Sequence, residues 1–207
     1  MSETKKSRSI FFPLASAVIA VVTLIISAIT LEGINSKQAA VARKLQRNKE
    51  LMEISYKALV QAYDGVNRQE LYMTLLALNM NNENKNMVKR TITTEYFHTL
   101  GFFATSVYDE KDADDKDKLD KVTTDLRALS SRYGEDCYNA IGENSERFAY
   151  LRKESGDRQV ALLNQRNELE QQQAALGRKE SNVKFFATSI QFISILLVLV
   201  KDVFKKE

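Results

Sequence analysis

Residues 10–31 read IFFPLASAVIAVVTLIISAITL, and residues 185–200 read FFATSIQFISILLVLV. The first run is 22 residues without a charge, and at the α-helical rise it measures roughly 33 Å, enough to cross a hydrocarbon core of about 30 Å. The second is 16 residues, or roughly 24 Å, and needs a locally thinned bilayer with Lys184 and Lys201 snorkelling at its ends. A helix lying in the interface is the alternative for the second run, but Ile195–Val200 is apolar all round, which an interfacial helix avoids. KKSR ahead of the first run suits a cleaved signal peptide as well. That run, however, exceeds a usual h-region, and only Ala28-Ile29-Thr30 approximates a small-x-small site, so an uncleaved anchor with Pro13 in its first turn is expected.

Within the two runs the small and polar residues are ordered. Ser16, Ala20, Thr23, Ser27 and Thr30 recur at steps of four and three, as do Ala187, Gln191 and Ser194. Lipid supplies no hydrophobic drive between helices, so small residues that admit close approach and hydroxyl or amide groups that find partners mark a packing face. Ser16, Ala20, Thr23, Ser27, Gln191 and Ser194 are therefore expected to pack the two spans on each other or on a second copy. Chance is the competing explanation for the hydroxyls, because Ser and Thr are common in spans; an amide such as Gln191 is harder to leave facing lipid.

Orientation follows from Lys and Arg on short flanks. Lys5, Lys6 and Arg8 lie in tail 1–9, and Lys201, Lys205 and Lys206 in tail 201–207, so both termini are expected in the cytoplasm and residues 32–184 outside it, with a plasma or inner membrane between. Setting the tails aside leaves 24 basic residues (30 less 6) against 24 acidic ones (27 less 3). A neutral middle lacks the basic stripe of a nucleic-acid binder.

That middle is rich in Ala, Leu, Glu, Gln, Lys and Arg and has no proline, so an all-α chain is expected. Leu45, Met52, Leu59, Val66, Met73 and Met80 recur every seven residues, a coiled-coil ladder reaching about residue 80. Its companion positions, Val41, Asn48, Ser55, Ala62, Gln69 and Leu76, are poorer in apolar residues. Asn81, Asn82 and Asn84 suggest a turn. A second helix over about 85–108 carries Val88, Ile92, Tyr96, Leu100, Phe103 and Val107. A third over about 115–140 carries Leu119, Val122, Leu126, Leu129, Tyr133 and Cys137 and is closed by Gly142. The fourth starts near Asn144, with Phe148, Ser155, Leu162, Leu169, Leu176 and Val183 at seven-residue steps. The two short helices span roughly 35 to 40 Å each and cannot line a first helix rising roughly 70 Å beyond the membrane. The arrangement that buries every stripe is a membrane hairpin carrying an antiparallel four-helix bundle on a two-helix coiled-coil stalk, made from residues 32–50 and 165–184.

This order of anchor, long helix, two shorter helices and a helix feeding a second anchor resembles the extracytoplasmic four-helix sensor module of methyl-accepting chemotaxis receptors and some sensor kinases. The resemblance covers the layout of residues 10–200 and implies a distal bundle that binds a ligand or partner. It assigns no binding residues, because no ligand motif of that family falls on Arg, Thr or aromatic positions here. Such receptors continue into a cytoplasmic signalling region, whereas this sequence stops at Glu207, so any signal is expected to pass to a partner through the spans or tails.

Little suggests chemistry. The acidic run Asp109–Asp120 has alternate carboxylates but lacks the glycine and closing bidentate glutamate of a calcium loop, so it is expected to be a solvated turn capping the third helix. Glu95 and His98 make one Glu-x-x-His pair, and a bundle di-metal site needs two. His98 lies off its helix's apolar stripe and is expected to be exposed. Cys137, the single cysteine, is expected to be a small buried hydrophobe. Tyr96, Phe97, Phe102, Phe103, Tyr108, Tyr133, Tyr138, Phe148 and Tyr150 cluster in the distal part, and most of them should be core, with room among them for a small apolar or cationic ligand. No nucleophile, base and oxyanion set can be assembled, so no enzyme, cofactor or metal is expected. The sequence points to a membrane-anchored helical scaffold acting through helix–helix association with its own copies or a helical membrane partner. A sensory or regulatory subunit is the alternative.

Overall fold

The computed structural model describes the backbone of residues 3–78 and 82–204 and the side chains of residues 15–78 and 84–200. It is all helical, with no strand among the described residues: α1 Glu3–Ala77, α2 Asn82–Val107, α3 Ala113–Tyr133, α4 Cys137–Glu143 and α5 Ser145–Phe204. The side chains of the basic tails, of residues 10–14 and of Met80 lie outside the described residues. α1 begins at Glu3, so Pro13 lies well inside it rather than in a first turn. Asn82 and Asn84, expected to turn the chain, open α2 instead.

The helix expected over 115–140 is two helices. Gly134 adopts φ 52°, a left-handed conformation that glycine enters without a Cβ penalty, and its N–H caps the carbonyl of Ser130. The chain then restarts at Asp136, whose carboxylate accepts from the N–H of Asn139 and opens α4. Capping chemistry at two adjacent points outweighs an apolar spacing that continues from Tyr133 to Cys137. α3 itself starts where Asp112 accepts from the N–H groups of Asp114 and Asp115, as expected of the acidic run.

The chain forms two compact units, Met1–Leu45 with Glu168–Glu207 (the terminal unit) and Gln46–Asn167 (the central unit). The terminal unit is made by α1 and α5 alone. Ser16, Ser27 and Ser194 are buried there, whereas Val18, Ile19, Ile25, Phe185, Phe192 and Leu197 are exposed. α1 and α5 both contain segments long and apolar enough to cross a membrane.

In the central unit all five helices contribute to one core, including Ala62 of α1, Tyr96 and Phe103 of α2, Leu126 of α3, Ala140 of α4 and Leu151 of α5. Phe103 meets Phe148 and Tyr63 edge to face, and Tyr96 stacks on Phe148, geometries that aromatic quadrupoles favour. A smaller cluster joins Leu76, Val88, Ile92 and Cys137. Contacts pair α1 with α5 in opposite directions, as Asn48 meets Leu162 and Tyr63 meets Arg152. α1 and α2 are likewise opposed, as Ser55 meets Ser106 and Gln69 meets Thr99.

Burial along α1 differs from the apolar spacing. Leu45, Met52, Leu59, Val66 and Met73 are half-buried, while Asn48 is 2% exposed, Ser55 5%, Ala62 0% and Leu76 8%. α1 touches both α2 and α5, so the ladder between those two contacts is enclosed from both sides. Small or hydrogen-bonding residues fit there, and the bulkier apolar ladder sits at the flank. At Gly65 a Cβ would collide with Thr99 Oγ1, so glycine sets the approach of α1 to α2. On α5, Leu162 and Leu169 are buried and Leu176 and Val183 half-buried.

Candidate functional site

Three sets of residues stand out. The first is the face between α1 and α5 in the terminal unit. The Ser16 hydroxyl donates to the carbonyl of Ser194 at 3.2 Å, and Ser16, Ala20, Leu24, Gln191, Ser194 and Val198 line a cleft of about 430 Å³. Ser27 is buried and Thr23 half-buried on the same helix face. Further along, Gln38 Nε2 donates to Glu180 at 2.9 Å. Lys184 and then Gln38 hold the Glu180 carboxyl below its ordinary range.

The second is a buried polar ladder in the central unit. Asn48 Nδ2 donates to the carbonyl of Leu162 at 3.1 Å and to Gln165 Oε1 at 2.8 Å. Its Oδ1 is buried without a partner among the described residues. Ser55 donates to the Ser106 carbonyl at 2.6 Å and accepts from Gln159 Nε2 at 2.7 Å. Ser106 donates to the Phe103 carbonyl, which leaves Ser155 as donor in the hydrogen bond between the two serine hydroxyls. Gln69 Nε2 donates to Thr99 Oγ1, whose own proton goes to the Glu95 carbonyl. Buried polar groups need partners, and apart from Asn48 Oδ1 those named here find them, most across helix interfaces, so the ladder selects one register among those an apolar stripe would tolerate. The polar character of α1's inner positions was visible in the sequence; the pairing of Ser55 with Ser106 and Gln159, and of Ser106 with Ser155, was not, because each partner is remote in the chain.

The third is a groove of about 470 Å³ between α2 and α3. Phe97, Phe102 and Leu126 form its apolar wall, Gly101 its open floor, and His98, Thr105, Thr123, Arg127, Ser130 and Ser131 its polar margin. His98 is exposed, as its position off the apolar stripe implied, and it borders this groove. The aromatic residues expected to surround a ligand are mostly closed on each other: Tyr96 is 3% exposed and its phenol is pushed up to about 12 by burial. The groove lies instead on the outer side of Phe97 and Phe102, where Gly101 leaves space, and no spacing in the sequence marked it.

Elsewhere several titratable residues pair with one another. Glu95 pairs with Arg68 at 3.2 Å rather than with His98. Asp109 pairs with Arg47, and Glu50, paired with Lys111, has its carboxyl held low by Gln46 and then Lys111. Cys137 is fully buried, and burial raises its thiol above the ordinary range. Among the described residues no three His, Cys, Asp or Glu side chains converge. No protein-family model, curated protein or solved structure matches the chain.

Proposed function

We propose that the chain is a membrane-anchored helical scaffold of the cell envelope that acts by helix–helix association. In this reading residues 10–31 and 185–200 span a plasma or inner membrane as a hairpin. The basic tails 1–9 and 201–207 are cytoplasmic. Residues 32–184 form an antiparallel four-helix bundle on a coiled-coil stalk outside the cytoplasm, with other copies or a helical membrane protein as partner. No catalytic role, cofactor or nucleic acid belongs to it. The burial inversion of the terminal unit supports the anchors, because apolar residues turned outward and serines turned inward suit lipid as the surroundings.

The observation that carries the association is an exposed apolar stripe on α1. Tyr56, Val60, Tyr63, Leu71 and Leu78 follow one another at helical spacing and are 40–70% exposed, and Val160 and Leu163 of α5 are also exposed. An apolar surface of this kind on a unit with its own core marks an interaction site. The test replaces Tyr56 and Leu71 with glutamate in the full chain held in nanodiscs or micelles, and mass is measured by light scattering. Loss of oligomer or of helical partner, with helicity retained, supports the reading; wild-type chain that is monomeric and captures no membrane partner sinks it. Orientation is tested by single cysteines at Asp115 and Glu207 in a Cys137→Ser background. An impermeant thiol reagent on intact cells should label position 115 and spare position 207, and the reverse pattern overturns the topology.

A second reading, a sensory or regulatory subunit, is favoured by the groove between α2 and α3, since a polar-margined cavity is what small-ligand binding needs.

A further inference from the structure

We propose that the groove between α2 and α3 binds a small organic carboxylate with an apolar body. Its two walls are continuous helix faces: Phe97, Gly101 and Thr105 follow at i+4 on α2, and Thr123, Arg127 and Ser131 at i+4 on α3. The space exists because Gly101 occupies the middle of one face, where a Cβ would meet nothing within 4 Å. A side chain here would fill the groove, so glycine makes the cavity without being required by packing. The volume of about 470 Å³ suits a molecule of one ring or a short acyl chain.

The chemistry of the walls sets the ligand class. No carboxylate lines the groove, and its two ionisable residues are both basic, His98 and Arg127. Neither forms an ion pair or hydrogen bond with another described residue, in contrast to Arg47 and Arg68, which face Asp109 and Glu95. The planar guanidinium fork matches a carboxylate in two parallel hydrogen bonds. Hydroxyls complete the margin. Thr105 and Thr123 send their protons to their own helix carbonyls, at 3.0 Å and 2.9 Å, and so offer acceptors, while Ser130 and Ser131 rotate freely to donate. Half-buried Phe102 gives the rest of the ligand most of its apolar surface, with Phe97 and Leu126, both nearly closed, behind it. A phosphate would gain little from that wall and would meet one guanidinium where several cations or a nest of backbone N–H groups serve it better.

This site supplies the sensory reading with its ligand class and rests on that reading only for its biological purpose, since occupancy itself requires no relay to the spans. Phenylacetate is the probe, with phenylacetamide as its neutral counterpart, titrated into the full chain in nanodiscs and followed by saturation-transfer NMR and calorimetry. Saturable binding of phenylacetate at about millimolar or tighter is expected, with the amide at least about tenfold weaker. Arg127→Gln should weaken the acid by about tenfold or more and leave the amide unchanged. Gly101→Leu should abolish both, and Thr105→Leu serves as a second filling variant if that chain is unfolded by circular dichroism. No saturable binding of phenylacetate, 4-hydroxybenzoate or hexanoate up to about 10 mM overturns the site, as does binding that survives both filling variants. Binding that leaves unchanged the thiol reactivity of a cysteine introduced on the packing face of the first run (Ser27→Cys, in a Cys137→Ser background) would count against the sensory reading and keep the site.

Discussion

In the terminal unit the buried positions among the described residues of the apolar runs are Ser16, Ser27 and Ser194, and Ile19, Ile25 and Leu197 face outward; in the central unit Ile92, Leu100 and Phe103 are enclosed, and Glu53 and Lys57 face outward. The same two helices contribute to both units. What changes along them is the kind of residue that faces outward. Water rewards hiding apolar area, so the central unit closes an aromatic core. A lipid surrounding gives no such reward, and helices then meet through small residues and hydroxyl contacts such as Ser16 to Ser194. The central unit carries a third pattern within it, because Asn48, Ser55, Ser106 and Ser155 place hydrogen bonds inside an interface that is otherwise apolar. Stability and register are thereby assigned to different residues: the aromatic cluster holds the helices together, and the polar ladder fixes how they are aligned.

That comparison can be broken by substitution. Phe103→Ala, in the middle of the aromatic cluster, should cost about 3–5 kcal/mol in denaturant unfolding of the full chain in micelles; a cost under about 1 kcal/mol would mean that this cluster is not the stabilising element. Gly65→Ala should cost about 1–3 kcal/mol by forcing α1 away from Thr99, and Thr99→Ala in the same chain should restore much of it. Failure of that rescue would show that α1 and α2 are not held at this approach. Ser106→Ala strands the buried Ser155 donor, at about 1–3 kcal/mol, and the Ser106→Ala/Ser155→Ala pair should be milder than the single change. A double-mutant cycle without coupling would remove the ladder's register role. Asp112→Ala, which deletes the cap of α3, should cost about 1 kcal/mol in thermal unfolding. Smallest of all, Ile25→Ala in nanodiscs should change the melting midpoint very little, because Ile25 is 54% exposed. A loss as large as that of Phe103→Ala would mean that Ile25 is buried against another copy.

The helices and the two apolar runs were legible because they are written locally: charge-free length marks the runs, and i+3 and i+4 spacing marks the stripes of α2 and α3. The cap at Asp112 was legible for the same reason. The break between α3 and α4 was not, since Tyr133 and Cys137 keep the apolar spacing across it and only the Gly134 and Asp136 conformations reveal the interruption. The burial rank along α1 was also hidden. A ladder of Asn48, Ser55 and Ala62 reads as weak when scored by hydrophobicity, yet it is the one enclosed between two neighbouring helices. The α2–α3 groove depends on an absence at Gly101, and apolar periodicity carries no signal for empty space.

One contact bears on how the protein is made. The Ser16 hydroxyl meets the Ser194 carbonyl across a sequence separation of 178 residues, whereas α2, α3 and α4 pack on near neighbours in the chain. At a synthesis rate of about 5–20 residues per second, the first apolar run emerges roughly 10 to 40 seconds before its partner. If that run enters lipid on emergence, its serine face waits all that time without α5. During the interval any passing helix with a small-residue face is a competitor for it, so pairing with the wrong neighbour is a hazard set by chain order, and faster translation or a lower density of other nascent membrane proteins would lessen it.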